Sequence, residues 1–228
     1  MFFNPMYFLF IAPAVLLGIW AQLRIHAAYS QAQKLAAPLS GAAAARHILD
    51  SAGLTDVSIE EIPGQLPDHY APRSKVLRLS QAVYESRTLA AVGIAAHESG
   101  HAIQHANNYA PLIARNAIVP VAGIGSQAGI WMIFLGMLFH FNMVLILLGM
   151  GLFTTFVIFQ VVNLPVEFDA SSRAKVQLVS LGIINEEELV YVNKVLSAAA
   201  LTYVAATLQA ILTLLYYVSL LSGSRNRN

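Results

Sequence analysis

The chain has no cysteine among its 228 residues, which excludes disulfides, thiolate catalysis and thiolate metal sites. Any bound metal must therefore be held by His, Asp or Glu. Charge is also scarce: Asp, Glu, Lys and Arg make up 11% of the sequence, where soluble domains carry about 25%. Thirteen Lys and Arg against twelve Asp and Glu leave a net charge of +1, and with the basic residues scattered there is no stripe for nucleic acid. A hydrophobic fraction of 57% excludes disorder, and a mean hydropathy of +0.62 demands more apolar burial than one small core provides. A lipid bilayer meets that demand and is the expected environment.

Four windows approach the roughly 20 apolar residues a transmembrane helix needs without enclosing a charged side chain. They are residues 6–23, 118–139, 141–162 and 197–221, separated by polar segments 24–117 and 163–196. Gly125 and Gly129 form a G-x-x-x-G pair with Ala122 on the same face, a pattern suited to close helix contact in lipid. Residues 1–5 carry no Lys or Arg, whereas Arg24 and Lys34 follow the first window. That order fits an uncleaved anchor with its N-terminus outside, not a signal peptide. Six basic residues near span ends (Arg24, Lys34, Arg115, Arg173, Lys175, Lys194) fall on one expected side, against two, Arg225 and Arg227, on the other. The polar segments are accordingly expected in the cytoplasm. The uncharged link around His140 and Asn142 makes windows two and three a hairpin that returns the chain to the same side.

The first polar segment contains Ala95-Ala96-His97-Glu98-Ser99-Gly100-His101-Ala102, a match to H-E-x-x-H. On a helix, residues four apart share a face about 6 Å apart along the axis, so both imidazoles can reach one tetrahedral Zn²⁺. Glu98, about 100° around the helix, would stand beside the metal and accept a proton from water whose pKa the metal lowers. Chance occurrence of the motif in a chain of this composition is roughly 0.01. Residues 88–107 read as an Ala-rich helix with Ser86 available as its cap, although Gly93 and Gly100 weaken helix propensity.

A catalytic zinc site needs a third protein ligand. His105 continues the series but lies about 12 Å from His97 along the axis, too far to share the metal. It is expected to be a supporting or surface residue. The other candidates sit in Asn163-Leu164-Pro165-Val166-Glu167-Phe168-Asp169-Ala170-Ser171-Ser172-Arg173. Pro165 suits the first turn of a new helix with Asn163 as cap, from which Glu167 would project among Ala170, Ser171 and Ala174. Those small neighbours would permit close approach to the His97 helix. Asp169 is the rival ligand. Either can join His97 and His101 because windows two and three return the chain to the side it left.

With these motifs in hand, the chain resembles the bacterial YugP-type zinc metallopeptidases, neutral membrane proteases, almost end to end. The resemblance covers Asp68-His69-Tyr70-Ala71-Pro72-Arg73, Val76-Leu77-Arg78-Leu79-Ser80, the stretch from Ala95 through His97 and His101 to Gln104, and Leu164-Pro165-Val166-Glu167-Phe168-Asp169-Ala170-Ser171. It implies a multi-pass membrane peptidase with zinc on two His and an acidic residue. The last stretch is also similar to the Glu-aromatic-x-Ala-Asp segment of HtpX-type and CAAX-prenyl membrane proteases, whose Glu is the third zinc ligand. On that match the ligand is Glu167. Ser171 stands where that group has Asp, so orientation of a ligating His by that Asp does not carry over, and Asp169 becomes the candidate for the task by another route.

Residues 40–52 read as a helix capped by Ser40 and stopped at Gly53, residues 57–61 as a strand, Pro63-Gly64 as a turn, and residues 75–80 as a second strand. The second strand leads toward the metal helix and is expected to lie beside the cleft, where it would pair with an extended substrate. His69, Tyr70 and Arg173 are candidate oxyanion donors, with no spacing rule to choose among them. Glu186-Glu187-Glu188 after Asn185 reads as a solvated first turn. The expectation is a mainly α membrane protein with about four spanning helices and a small cytoplasmic α+β zincin-like unit. It would hydrolyse membrane or membrane-proximal proteins with one zinc on His97, His101 and Glu167 and with Glu98 as general base. A zinc-dependent transporter or sensor is the alternative, and association with copies of itself is left open. An intramembrane protease of the site-2 type is disfavoured, because only nine clean apolar residues, 88–96, lead into the polar part of the motif.

Overall fold

The structure, a computed structural model, describes residues 5–63, 68–139 and 142–225. Gly64 of the expected turn, His140 of the expected link and Arg227 of the tail lie outside the described residues. The elements in order are α1 (Pro5–Ala32), α2 (Gly41–Ser51), β1 (Ser58–Ile62), β2 (His69–Ala71), β3 (Val76–Ser80), α3 (Gln81–Tyr84), α4 (Leu89–Ala106), α5 (Ala110–Leu138), α6 (Met143–Ser180) and α7 (Glu186–Arg225). Four of them, α1, α5, α6 and α7, are long and apolar enough to cross a membrane. The described residues divide into two compact units: those within 1–20, 113–164 and 201–228 form one, and those within 21–112 and 165–200 the other.

The first unit consists of the apolar parts of the four long helices. Gly125 and Gly129 bring α5 against α6. A Cβ on Gly129 would lie 2.8 Å from the Gly149 carbonyl oxygen, and one on Gly125 would run into the Leu152 carbonyl. Only glycine allows that approach, which is how helices associate in lipid without a hydrophobic driving force between them. Phe153 and Val157 of α6 pack with Ala210 of α7, and the Tyr7 ring of α1 meets Tyr216 of α7 at 5.1 Å.

The second unit is built around α4. On one side Ala91, Ala95 and Ala102 pack with Ala45 and Leu49 of α2 and with Leu77 and Leu79 of β3. On the other, Val92, Ala96 and Ile103 pack with Ala174 and Leu178 of α6 and with Val192 and Val195 of α7. Fourteen of the 18 residues of α4 are buried, which explains why its sequence is rich in Ala and Gly and has no polar face. The sheet has order β1-β3-β2, with β1 parallel and β2 antiparallel to β3. Asp68 sets that arrangement at one end: its Oδ1 accepts from the Ser80 N–H at 2.6 Å and the Ser80 hydroxyl at 3.0 Å, tying the approach to β2 to the end of β3.

Local signals read from sequence are met in part. The Ser40 hydroxyl oxygen caps α2 by accepting from Ala43 N–H, and Gly53 follows with φ of +73°. Asn185 and Glu188 form a reciprocal capping box at the start of α7, each accepting from the other's N–H at 2.9 Å. Two expectations are corrected. The cap of α4 is Thr88, whose Oγ1 accepts from Ala91 N–H, not Ser86, because the helix starts at Leu89. Pro165 does not open a new helix and Asn163 caps nothing: α6 runs unbroken from Met143 to Ser180 with Pro165 inside it. Proline removes a single helical hydrogen bond, and burial of Asn163, Val166 and Glu167 around it keeps the helix continuous.

Candidate metal centre

The H-E-x-x-H residues occupy the third and fourth turns of α4, and Glu167 approaches from α6. A Cβ on Gly100 would lie 2.6 Å from the Ala170 carbonyl oxygen, so the two helices meet backbone to backbone within the motif. Glycine at this position costs helix propensity and gains proximity. The result is a buried carboxylate between two imidazoles: Glu167 Oε2 lies 3.3 Å from His97 Nε2 and 3.7 Å from His101 Nε2. One donor atom from each residue falls within 4.8 Å of the others.

Donors bound tetrahedrally to zinc at about 2.0–2.2 Å stand about 3.3–3.6 Å apart; the set fits the ion in chemistry, and the two separations from Glu167 Oε2, 3.3 and 3.7 Å, are close to that spacing. Each imidazole turns Nε2 inward because its Nδ1 is engaged elsewhere. His101 Nδ1 is 3.0 Å from Gln104 Oε1, and His97 Nδ1 is 3.1 Å from Ser171 Oγ. A carboxylate that is only 4% exposed, as Glu167 is, would be costly without such cationic or metallic partners.

Glu98 is beside these donors but not among them. Its Oε2 accepts from the Tyr70 N–H of β2 at 3.1 Å. Burial pushes the Glu98 carboxyl above its ordinary range, an effect that His101 and His97 partly offset. A carboxylate with a raised pKa is a stronger base near neutrality than a solvated one.

The remaining candidates take other places. Asp169 is not in the donor cluster; its Oδ2 accepts from Gln104 Nε2 at 2.8 Å and Arg173 Nε at 2.6 Å. Arg173 is thereby directed to Asp169, with its guanidinium 5.8 Å from the Tyr109 ring centroid. The Tyr70 hydroxyl is 2.9 Å from Nδ1 of His105, which places His105 as a partner of Tyr70. His69 is exposed on β2.

The expected role of β3 is corrected. It is the central strand, paired on both sides, so it has no edge to offer a substrate. The strand next to the site is β2, and it arrives there because residues 68–71 turn back antiparallel onto β3.

Sequence reading missed Gln104 and the Tyr70 backbone amide. Gln104 sits three residues after His101, a spacing that shares a helix face and was available as a signal. No local pattern announces that a strand 28 residues upstream will present an N–H to Glu98.

A family described as "Putative neutral zinc metallopeptidase" matches residues 7–222. The chain is 45% identical over 226 residues to "Putative membrane protease YugP" of Bacillus subtilis (strain 168), covering 98% of this chain and all of that one. No solved structure matches.

Gly100 is the position where packing and the donor set can be separated from ligand chemistry. Gly100→Ala keeps every donor side chain but is expected to destabilise the protein by about 1–3 kcal/mol through overpacking and, by pushing α6 away from α4, to lower its zinc content. Thermal unfolding in detergent and metal analysis of the purified variant check this; unchanged stability and full zinc content would mean that the close approach is not needed.

Proposed function

The chain belongs to this neutral zinc metallopeptidase family, and on that footing we propose that it is a membrane-embedded zinc endopeptidase acting on membrane or membrane-proximal proteins. His97, His101 and Glu167 hold the ion in this reading, and the observation that carries it is the convergence of those three donors from two helices beside Glu98. Zinc bound there supplies a Lewis acid for a peptide carbonyl and lowers the pKa of water.

The chain's own groups do the rest. The Tyr70 N–H fixes Glu98 Oε2, which aims the carboxylate before substrate arrives and saves the cost of ordering it during reaction. Glu98 takes the proton of the attacking water and passes it to the departing amine, as a buried carboxylate with a raised pKa can do. Gln104 and Ser171 keep the two imidazoles oriented. The zincin-like unit formed by α4 and the three-stranded sheet is the scaffold for this chemistry. By the distribution of basic residues it faces the cytoplasm, with the N-terminus and the α5–α6 link outside.

Glu98→Gln separates hydrolysis from metal binding. The variant is expected to keep its zinc and lose peptide-bond cleavage by about 10²–10⁴-fold, measured on an unfolded protein substrate with the purified chain in detergent. A transporter or sensor would keep its zinc-dependent behaviour in the same variant, and undiminished cleavage by Glu98→Gln would remove the general base from the proposal.

The absence of cysteine makes the topology directly measurable. Asn142→Cys is expected to react with a membrane-impermeant maleimide in intact cells, whereas Glu85→Cys reacts only after the membrane is opened. The reverse pattern would place the site on the outer face.

A further inference from the structure

We propose that Gln104 is a positioning residue that couples the Asp169–Arg173 ion pair to His101, so that Asp169 strengthens metal binding without touching the metal. The inference rests on the zinc reading for its functional meaning, but its geometric basis is independent of the ion.

Gln104 is fully buried, at 0% exposure, one helical turn beyond His101. Its Nε2 lies 2.8 Å from the Val166 carbonyl oxygen and 2.8 Å from Asp169 Oδ2. Both are acceptors only, so each contact requires a hydrogen from the amide nitrogen, and that nitrogen has two to give. The orientation of the amide is therefore fixed by its partners, and Oε1 must face His101. An amide oxygen can only accept, so the 3.0 Å contact with His101 Nδ1 requires the proton to reside on Nδ1. His101 is left with Nε2 directed at Glu167 and at the ion the donor set fits.

The same network reaches α6 on both sides of Glu167. Val166 precedes the ligand and Asp169 follows it, while Arg173 Nε holds Asp169 Oδ2 at 2.6 Å from the next turn. One buried amide thus fixes the imidazole of α4 and the backbone beside the carboxylate of α6. His97 is held differently. Its partner is the Ser171 hydroxyl, which donates or accepts with equal ease and so imposes no proton position. His101 is the anchored ligand of the pair, and the carboxylate that supports it acts through an intervening amide in place of direct contact. Partners of this kind are worth about 10–100-fold in metal affinity.

The test uses the full chain in detergent. Zinc dissociation constants are measured by chelator competition for wild type, Gln104→Leu, Asp169→Ala and the double variant, and ¹⁵N-histidine spectra are recorded on the metal-free proteins. The expected results are a roughly tenfold loss for Asp169→Ala, a loss of about 10–100-fold for Gln104→Leu, and a double variant no weaker than Gln104→Leu alone. In the spectra, His101 Nδ1 is protonated in wild type, and the proton shifts toward Nε2 when Gln104 is replaced. Equal loss from Asp169→Ala with and without Gln104 would overturn the proposal, since Asp169 would then act on the metal by itself. So would an unaltered His101 proton position in Gln104→Leu. If wild type took up no zinc, the metal reading would fail, while the spectra would still judge the coupling. If Gln104→Leu did not fold, Asp169→Ala alone decides, because it replaces a half-buried residue at the rim; unchanged zinc affinity there would overturn the coupling.

Discussion

A backbone contact between two helices governs this structure. Gly100 of α4 lies against the Ala170 carbonyl of α6, and at that distance a carboxylate from one helix reaches two imidazoles from the other. Burying Glu167 is unfavourable by several kcal/mol unless positive partners accompany it. The two packed clusters on either side of α4 supply the rigidity that keeps the partners in place, with Val92 and Ala96 set against α6 and α7 and Ala91 and Ala95 set against the sheet and α2. Small residues are used throughout α4 because it is enclosed, and of the polar side chains it buries, Glu98, His101 and Gln104 belong to the site or to its support, while the Ser99 hydroxyl donates to the Ala95 carbonyl of the same helix.

The sheet has a role beyond covering α4. Its edge strand β2 turns the Tyr70 N–H outward to Glu98, and Asp68 fixes where β2 begins by holding Ser80. Two separate constraints therefore converge on adjacent residues of one helix: α6 completes the donor set at His97 and His101, and the sheet steadies Glu98 between them. That division suits the proposed chemistry, in which the metal ligands would stay fixed while Glu98 would exchange a proton.

The parts of this arrangement that follow from local spacing were legible in the sequence. The four apolar windows, the His97–His101 pair, the Ser40 cap and the Asn185 turn each depend on residues within a few positions of one another. The parts that depend on tertiary contact were not. Pro165 reads as a helix start, yet α6 passes through it, with Asn163, Val166 and Glu167 buried beside it. β3 reads as a strand near the cleft, but its neighbours fill both edges. Gln104 reads as one more polar residue of a helix, and its importance emerges only when Val166 and Asp169, more than 60 residues away, are seen to share its amide. Gly93 and Gly100 count against a helix by propensity and prove to be contact points with Val192 and Ala170.

The central claim, that one ion is shared by imidazoles of α4 and a carboxylate of α6, is tested most directly by X-ray absorption at the zinc edge on the purified chain and on Glu167→Ala. The account predicts two imidazole nitrogens with oxygen donors completing the shell in the wild type, and loss of the bound zinc in the variant. An identical zinc spectrum from the two proteins would contradict it.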